Sequence, residues 1–473
     1  MEETFVSVIK YNCSVVHEED DEFEVLRIEI NDVKDNVKYD MVYQNIIVII
    51  DFLMKYVNCY LDGDLGVVNI IGMEIKKPLA ESVFEECILK SVPKDWRVVG
   101  KFKEDLLVST KELKKKLIPC GLYDKKWECV YDIEKFYTQN RCHYFNEKAK
   151  EIMKRDLHSM IEVGTPYNPR NSLVESDEFL CCSISSNIPE LIKLGENLIS
   201  EMCDGPTENV NDLFKTYKGI FFNYGDFVAA YHQKLLETIP QQVALFYNNC
   251  KYLYRQLSEW DQMFETHDKL NEFCDDSSKA FYEVEEVGRV FFNSFVDEQK
   301  NQIEAILKQT NLQNKKTLDK LEDNTEKLLR QCLRQQELLK TVWSKVLSYP
   351  VYNETIGDIF SSMCTFLINA LVKIEDIEAV VAENLIEIFK VVLNRGPKLF
   401  SDPNETSIYV PQWHKFNEVI FILGASLVDI NDRWADGKGP LALHFKSYEL
   451  KQLIRALFQN TDRRAAVLAK IHE

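Results

Sequence analysis

Chain breakers are scarce in this sequence, with 16 glycines and 13 prolines in 473 residues. So few argue against a turn-rich β fold and for long helices. Positive charge is also short: 57 basic residues face 76 acidic ones, a formal net charge of −19. That field repels phosphate, so general binding of nucleic acid or of an anionic membrane surface is not expected. The segment 446–473 departs from the trend, with six basic residues against three acids. No pair among the 13 cysteines has the C-x-x-C spacing, and Cys181-Cys182 are adjacent rather than spaced as ligands, which argues against zinc or dithiol chemistry. Cys250, Cys332 and Cys364 fall on apolar helical stretches, where a thiol packs as a small hydrophobe. Met1–Lys10 lacks the features of a signal peptide, so a reducing compartment is expected and the sequons at Asn12, Asn353 and Asn404 carry no meaning. No apolar run approaches the roughly 20 residues that cross a bilayer, so no direct membrane insertion is expected.

Motifs that carry chemistry are missing as well. The chain has no G-x-x-x-x-G-K-[ST], no G-x-G-x-x-G after a strand, no H-E-x-x-H and no G-x-S-x-G. Gly437-Lys438-Gly439 is too short for a phosphate loop, and Pro440 removes a backbone donor. Cys142-His143 and His267 with Cys274 lack completing ligands, and Asp62-Gly63-Asp64 reads as a turn rather than a calcium loop. No catalytic, cofactor or metal site is therefore assigned.

What the sequence does contain is helical periodicity. Residues 1–36 stand apart, with Phe5–Tyr11 and Phe23–Ile30 read as short strands around the acidic run His17–Glu22. From Val37 the period changes. Val42, Ile46, Ile47, Ile50, Leu53 and Val57 share one face, helices follow over Val67–Leu89 (Pro78 a kink or interruption), Phe102–Leu117 and Cys129–Glu162, and 37–163 is expected to be a middle helical domain. Two prolines and polar residues over Thr165–Ser172 make 164–187 the expected linker. The domain 188–473 follows. Its clearest helix is Val210–Leu236, where Tyr217, Tyr224 and Tyr231 are spaced by seven and read as a packed seam rather than an aromatic ligand stripe. A helix from Gln242 toward Phe264 comes next. Residues 279–347 then read as two long antiparallel helices with a polar tip at Lys308–Asp323.

The last sixty residues form a distinctive pattern: a helix over Trp413–Asp432, the turn Arg433-Trp434-Ala435-Asp436-Gly437-Lys438-Gly439-Pro440-Leu441, and a closing helix from Ser447 almost to the end. Leu450, Leu453, Ile454, Leu457, Phe458, Thr461, Ala465, Leu468 and Ile471 share one face, which favours one continuous helix through Asn460-Thr461. Its nearest partner is the face of Phe416, Val419, Ile420, Ile422, Leu423, Leu427 and Ile430. In the turn, Gly437 and Gly439 are expected to supply positive φ, Pro440 to stiffen the exit, Asp436 to bond the turn and Trp434 to plug the core. The competing reading makes Trp434 and Lys438 a partner's landing site. Arg455, Arg463 and Arg464 are the outward basic candidates for partner binding.

This closing run resembles the C-terminus of the zeste-white-ten family of kinetochore and Golgi-to-endoplasmic-reticulum tethering proteins. Tyr231-His232-Gln233-Lys234-Leu235 with Ile239-Pro240 and Asn248-Asn249-Cys250-Lys251-Tyr252 resemble it too, as do Tyr349-Pro350-Val351-Tyr352 and Lys373-Ile374-Glu375-Asp376-Ile377. The resemblance covers about residues 40–473. It implies a mainly α fold, an elongated rod of stacked antiparallel helices similar to vesicle-tether subunits, with the β-like segment at the N-terminus. It also implies a non-catalytic scaffold without cofactors: one that works with Rod and Zwilch at kinetochores, is linked indirectly to dynein and the spindle checkpoint in mitosis, and joins tether subunits at the endoplasmic reticulum. The implied localisation is cytoplasmic, peripheral at the endoplasmic-reticulum membrane, and at the kinetochore and spindle in cell division. Members of that family are longer, with an N-terminal helical region that is not seen here. The alternative from another class is a soluble all-helical enzyme of unrecognised type, which a deep pocket with clustered titratable groups would favour.

Overall fold

The computed structural model describes residues 2–19, 23–32, 38–62, 65–168, 179–276, 278–312 and 324–472. In chain order the main elements begin with α1 (Glu2–Lys10), β1 (Asn12–Glu19), β2 (Glu24–Asp32), α2 (Tyr39–Phe52), α3 (Val67–Val83), α4 (Trp96–Leu117) and α5 (Ile133–Met153). Next come β3 (Met160–Val163), β4 (Cys182–Ser185), α6 (Ile188–Asp204), α7 (Thr207–Phe221), α8 (Tyr224–Tyr231), α9 (Gln233–Thr238) and α10 (Pro240–Glu265). The rest are α11 (Ser278–Lys308), α12 (Asn324–Trp343), α13 (Tyr349–Val372), α14 (Ala379–Arg395), α15 (Trp413–Gly424), α16 (Leu427–Trp434), α17 (Pro440–His444), α18 (Ser447–Leu457) and α19 (Asp462–Lys470). The fold is mainly α, as expected. Each sheet among the described residues is a two-stranded antiparallel pair.

The chain forms two compact units, and neither is one stretch of sequence. The first comprises 1–151, 193–221 and 264–272; the second comprises 152–192, 222–263 and 273–473.

In the first unit, Phe5–Lys10 is helix rather than strand. Phe5, Val8 and Ile9 recur at three-four spacing and are buried together while Val6 is exposed, so one helical face outweighs β-branched propensity. The first strand of the segment is instead β1, on the residues that follow, and it pairs with β2, which overlaps the expected Phe23–Ile30. It is pinned to α2 by Asn45, which accepts from the Val15 N–H at 3.3 Å and donates to the Cys13 carbonyl at 2.7 Å. The face of Val42, Ile46 and Ile50 packs with Leu106, Leu113 and Trp127 as core. Pro78 lies inside α3 without ending it, and a π turn over Phe84–Ile88 follows. The end of the helix expected over Cys129–Glu162 is instead strand: Met160–Val163 pairs with Cys182–Ser185. Lys269 donates to the carbonyls of Cys203 at 2.8 Å and Gly205 at 2.7 Å, capping α6 from the 264–272 segment.

The long helix expected over Val210–Leu236 is three pieces. Asn223 and His232 leave the helical region with ψ near zero. A Cβ on Gly225 would sit 3.0 Å from Val287, and the buried His232 Nε2 lies 3.1 Å from the Met153 carbonyl. Close packing and a histidine contact thus interrupt a periodicity that persists across the breaks. Tyr217 and Tyr224 are buried, whereas Tyr231 is exposed.

The second unit's core is built on α11–α15. Cys332 and Gln335 of α12 face Ile303 and Gln299 of α11, the antiparallel pair expected over 279–347. The polar tip at 308–323 lies largely outside the described residues, as does 169–178 of the expected linker. Trp343 is fully buried, and its Nε1 donates to the Pro240 carbonyl at 2.9 Å. Helix α13 is long and apolar enough, by length and composition, to cross a membrane, which corrects the expectation that no run approaches that length. Ile356, Ile359, Phe360, Met363, Leu367 and Leu371 are buried within the unit, so its apolar character is that of a core helix.

Two adjacent asparagines explain one of the sequence anchors. Asn248 donates to the carbonyls of Ser183 and Val346, both at 2.8 Å. Asn249 accepts from the Ser185 N–H and donates to the Ser185 hydroxyl, again at 2.8 Å. That hydroxyl donates to the Leu157 carbonyl at 2.9 Å. Two backbone groups of buried β4, the Ser183 carbonyl and the Ser185 N–H, are therefore satisfied from α10 by side-chain amides.

Candidate protein-binding site

The five helices α15–α19 all belong to the second unit and form its closing layer. Helix α15 packs on α13, α14 and α17, while α16 packs on α17 and α19. The helix expected over Trp413–Asp432 breaks at Ala425-Ser426. There the Ser426 hydroxyl accepts from the Asp429 N–H at 3.3 Å, and Asp429 accepts from the Ser426 N–H at 2.9 Å. This reciprocal cap starts a new helix.

The turn is left-handed. Ala435 (φ 47°), Asp436 (φ 49°) and Gly437 (φ 83°) follow one another in the positive-φ region. Gly437 meets the expectation; Gly439 does not, since its φ is −86°. Its requirement is space, because a Cβ there would stand 2.0 Å from the Arg433 carbonyl oxygen. The Gly439 N–H closes the turn onto the Trp434 carbonyl at 2.9 Å. Pro440 opens α17 at its first position, where its missing N–H costs nothing. Trp434 is 4% exposed, and its indole N–H has no hydrogen-bond partner among the described residues. Asp436, Gly437, Lys438 and Pro440 are exposed. The turn thus buries Trp434 and Gly439 and presents Asp436 and Lys438 outward.

Two ion pairs lock this layer. Glu418, 8% exposed, receives two hydrogen bonds from Arg433 at 2.6 and 2.7 Å, and the guanidinium lies over Phe421. Glu449, 9% exposed, accepts from Lys415 at 2.8 Å through both oxygens and from the Lys446 N–H at 2.9 Å. Lys446 rather than Ser447 is therefore the cap position of α18, and Glu449 supplies the capping acceptor. His414 and His444 stack at 5.4 Å. Burial first, then the charge of His414, holds the His444 imidazole below its ordinary value.

The closing helix expected over Ser447 onward is two helices, because backbone groups at 458–461 find better partners outside a continuous helix. Arg464 reaches back to the carbonyls of Phe458 at 2.6 Å and Arg455 at 3.3 Å. The Thr461 hydroxyl caps α19 by accepting from the Arg464 N–H at 3.3 Å. The apolar face also has two partners. Helix α18 packs on α13, with the Ile377 N–H donating to the Ala456 carbonyl at 2.9 Å, whereas α19 packs on α16. Arg455 and Arg463 are exposed; Arg464 is half-buried and ties the two helices. The three arginines are thus not equivalent.

Leu443 and Tyr448 were not anticipated. They are exposed at 78% and 53%, beside the turn and at the start of α18. A short helix over Pro440–His444, followed by Phe445, can bury only one side. Leu441 and Phe445 occupy it at four-residue spacing, which leaves Leu443 outside. This unit also carries a cavity elsewhere. It is an open groove of about 580 Å³ beside Tyr247, Lys251, Tyr254, Arg255, Glu259 and Glu285. Arg255 is paired with Glu259 at 3.1 Å.

Comparison with known proteins turns on three consecutive matches. The family model for the centromere/kinetochore protein zw10 middle domain matches 3–157, the C-terminal model of the same protein matches 178–312, and the ZW10 C-terminal helical domain matches 327–471. The chain belongs to the zw10 family. The match reaches residue 3, so the N-terminal helix and hairpin, not placed from sequence, are part of the family's middle domain. The centromere/kinetochore protein zw10 of Drosophila melanogaster is 32% identical over 92% of this chain and 59% of its own length. The Rattus norvegicus zw10 homolog is 28% identical over 87% and 60%. The Arabidopsis thaliana homolog is 17% identical over 93% and 60%. The chain therefore spans about three-fifths of the length of these relatives.

Proposed function

We propose that this chain is a non-catalytic scaffold subunit, acting in a kinetochore complex and in a Golgi-to-endoplasmic-reticulum vesicle tether. The observation that carries the reading is the run of three zw10 matches in family order from residue 3 to residue 471. The curated relatives are named centromere/kinetochore proteins; the tethering role is what the zeste-white-ten resemblance implies. In this reading the protein joins multisubunit complexes, with Rod and Zwilch as kinetochore partners, an indirect link to dynein, and other tether subunits at the endoplasmic-reticulum surface. Exposed groups on the closing layer suit such assembly. Lys438, Leu443, Tyr448, Arg455 and Arg463 present aromatic, apolar and basic groups on an ordered layer. Affinity capture of the tagged chain from mitotic and interphase extracts, read by mass spectrometry, tests the proposal. Recovery of kinetochore subunits in mitosis and tether subunits in interphase is the expected result. Capture of neither set at either stage overturns it.

A further inference from the structure

Strand β3 leaves one edge of its sheet open. Its register with β4 sets Met160 opposite Ser185, Ile161 opposite Ile184, Glu162 opposite Ser183 and Val163 opposite Cys182. In an antiparallel pair, opposed residues alternate between exchanging hydrogen bonds and directing their backbone groups outward. The Ser186 N–H donates to the Ser159 carbonyl at 2.8 Å, which puts residue 159 in the bonded set and residues 160 and 162 in the other. Ser183 and Ser185 fit this alternation. Their N–H groups turn away from β3, to the Val346 carbonyl at 2.9 Å and to Asn249 Oδ1 at 2.8 Å. On the other strand, the N–H and C=O groups of Met160 and Glu162 therefore point outward, and they have no hydrogen-bond partner among the described residues. Residues 158–162 are all exposed, Met160 at 40% and Ile161 at 38%, whereas β4 is buried throughout. A row of free backbone donors and acceptors at strand spacing is a template for one more strand. The side chains add a charge. Glu162 is the one charged residue of β3; its carboxylate accepts from the Cys181 thiol at 3.0 Å and has no ion-pair partner among the described residues. The cations just before the strand are engaged, Arg155 with Glu190 at 2.5 Å and Lys154 over the Tyr231 ring at 5.9 Å.

We infer that the outer edge of β3 takes an antiparallel strand from another protein, an extended segment with a basic side chain opposite Glu162 and β-branched ones opposite Ile161 and Val163. Backbone bonds at Met160 and Glu162 hold the added strand, and the cross-strand pairs set its register. Antiparallel addition matches β3–β4 and is the more stable pairing per residue. A second copy of this chain is a poor occupant, because each copy carries a net charge of −19 and the two would repel. The same charge favours a basic segment. The inference does not depend on which complex the chain joins.

The test uses the full chain and a fluorescent peptide of about ten residues, the length of a long strand, that alternates valine and lysine. Fluorescence anisotropy should show saturable binding. Methylating the lysine backbone nitrogens, which face β3 in the antiparallel register, keeps every charge and should weaken binding by about tenfold or more. Methylating the valine nitrogens, which face solvent, should leave it nearly unchanged. Glu162→Pro removes an outward donor while sparing the bonds to β4, and should reproduce the loss in a chain that melts like the parent. The methylated peptides decide the matter without altering the protein. Glu162→Gln should weaken the lysine peptide severalfold and leave a peptide with glutamine for lysine unaffected. Equal binding of the two methylated peptides overturns the inference, as does a lysine peptide that fails to bind or is indifferent to Glu162→Gln. A parent that sediments as a dimer, and as a monomer after Glu162→Pro, also overturns it by making the occupant a second copy.

Discussion

Trp434 combines a large buried body with an indole N–H that has no partner among the described residues, and these two properties make opposite demands on substitution. Trp434→Ala removes the body and should cost about 3–5 kcal/mol. Trp434→Phe keeps most of the volume and deletes the orphan donor, so it should cost much less, because an unsatisfied buried polar group is itself destabilising. Thermal melts of the two variants distinguish packing from a polar role; equal losses would reject this account. The thiols give a second contrast. Burial pushes Cys87, Cys182 and Cys332 up to about 12 and raises Cys250 and Cys364 further, whereas Cys59 is exposed. Under native conditions a thiol reagent should label Cys59 within its ordinary reaction time and leave Cys87, Cys250, Cys332 and Cys364 unmodified until unfolding. Mass spectrometry of the quenched protein checks it. Burial of Trp434 and of the helical cysteines was legible from residue type and apolar spacing. The positive φ of Ala435 and Asp436 was not, since neither residue advertises it.

At the scale of elements, the closing layer rests on ion pairs that no periodicity reveals. Lys415→Met leaves Glu449 buried without its cation and should destabilise by about 3–5 kcal/mol, while adding Glu449→Leu should recover much of that loss. Denaturant midpoints of the single and double variants measure it. Arg463→Glu should change stability by no more than about 0.5 kcal/mol. Arg464→Glu should cost clearly more, because it removes the hydrogen bonds to Phe458 and Arg455 that join α18 to α19. His444 adds a pH dependence. Its folded value lies below its unfolded one, so the unfolded chain binds more protons and stability is lost as pH falls through the ordinary histidine range. The facing charged groups are His414 and Lys415, which lower the value after burial, and Glu418, which opposes them. His444→Asn should flatten the change in denaturation midpoint between neutral and mildly acidic pH. Helix positions were readable from three-four spacing, but their ends were not. The breaks at Asn223, His232, Ser426 and Thr461 come from tertiary contacts and caps, which interrupt a helix without interrupting its apolar period.

At the scale of the molecule, the mainly α class and the antiparallel pair over 279–347 followed from periodicity and scarce breakers. The interleaving of the two units did not, because nothing in a local pattern tells a helix which distant segment it will join. A fragment ending near residue 157 should therefore be incomplete, since the first unit also needs 193–221 and 264–272. It is expected to bind a hydrophobic dye and melt without cooperativity, whereas the full chain should do neither. Supplying 193–272 in trans should partly restore folding. The same interleaving sets an order for synthesis. After residue 151 leaves the ribosome, another 121 residues must follow before position 272 completes the first unit (272 − 151). At about 5–20 residues per second this takes roughly 6–24 s. Helix formation and collapse take microseconds, so the nascent first unit must hold unfinished apolar faces for a very long time on its own clock. A protein built this way is an expected client of ribosome-associated chaperones, and its yield should depend on them more than on the final stability of either unit.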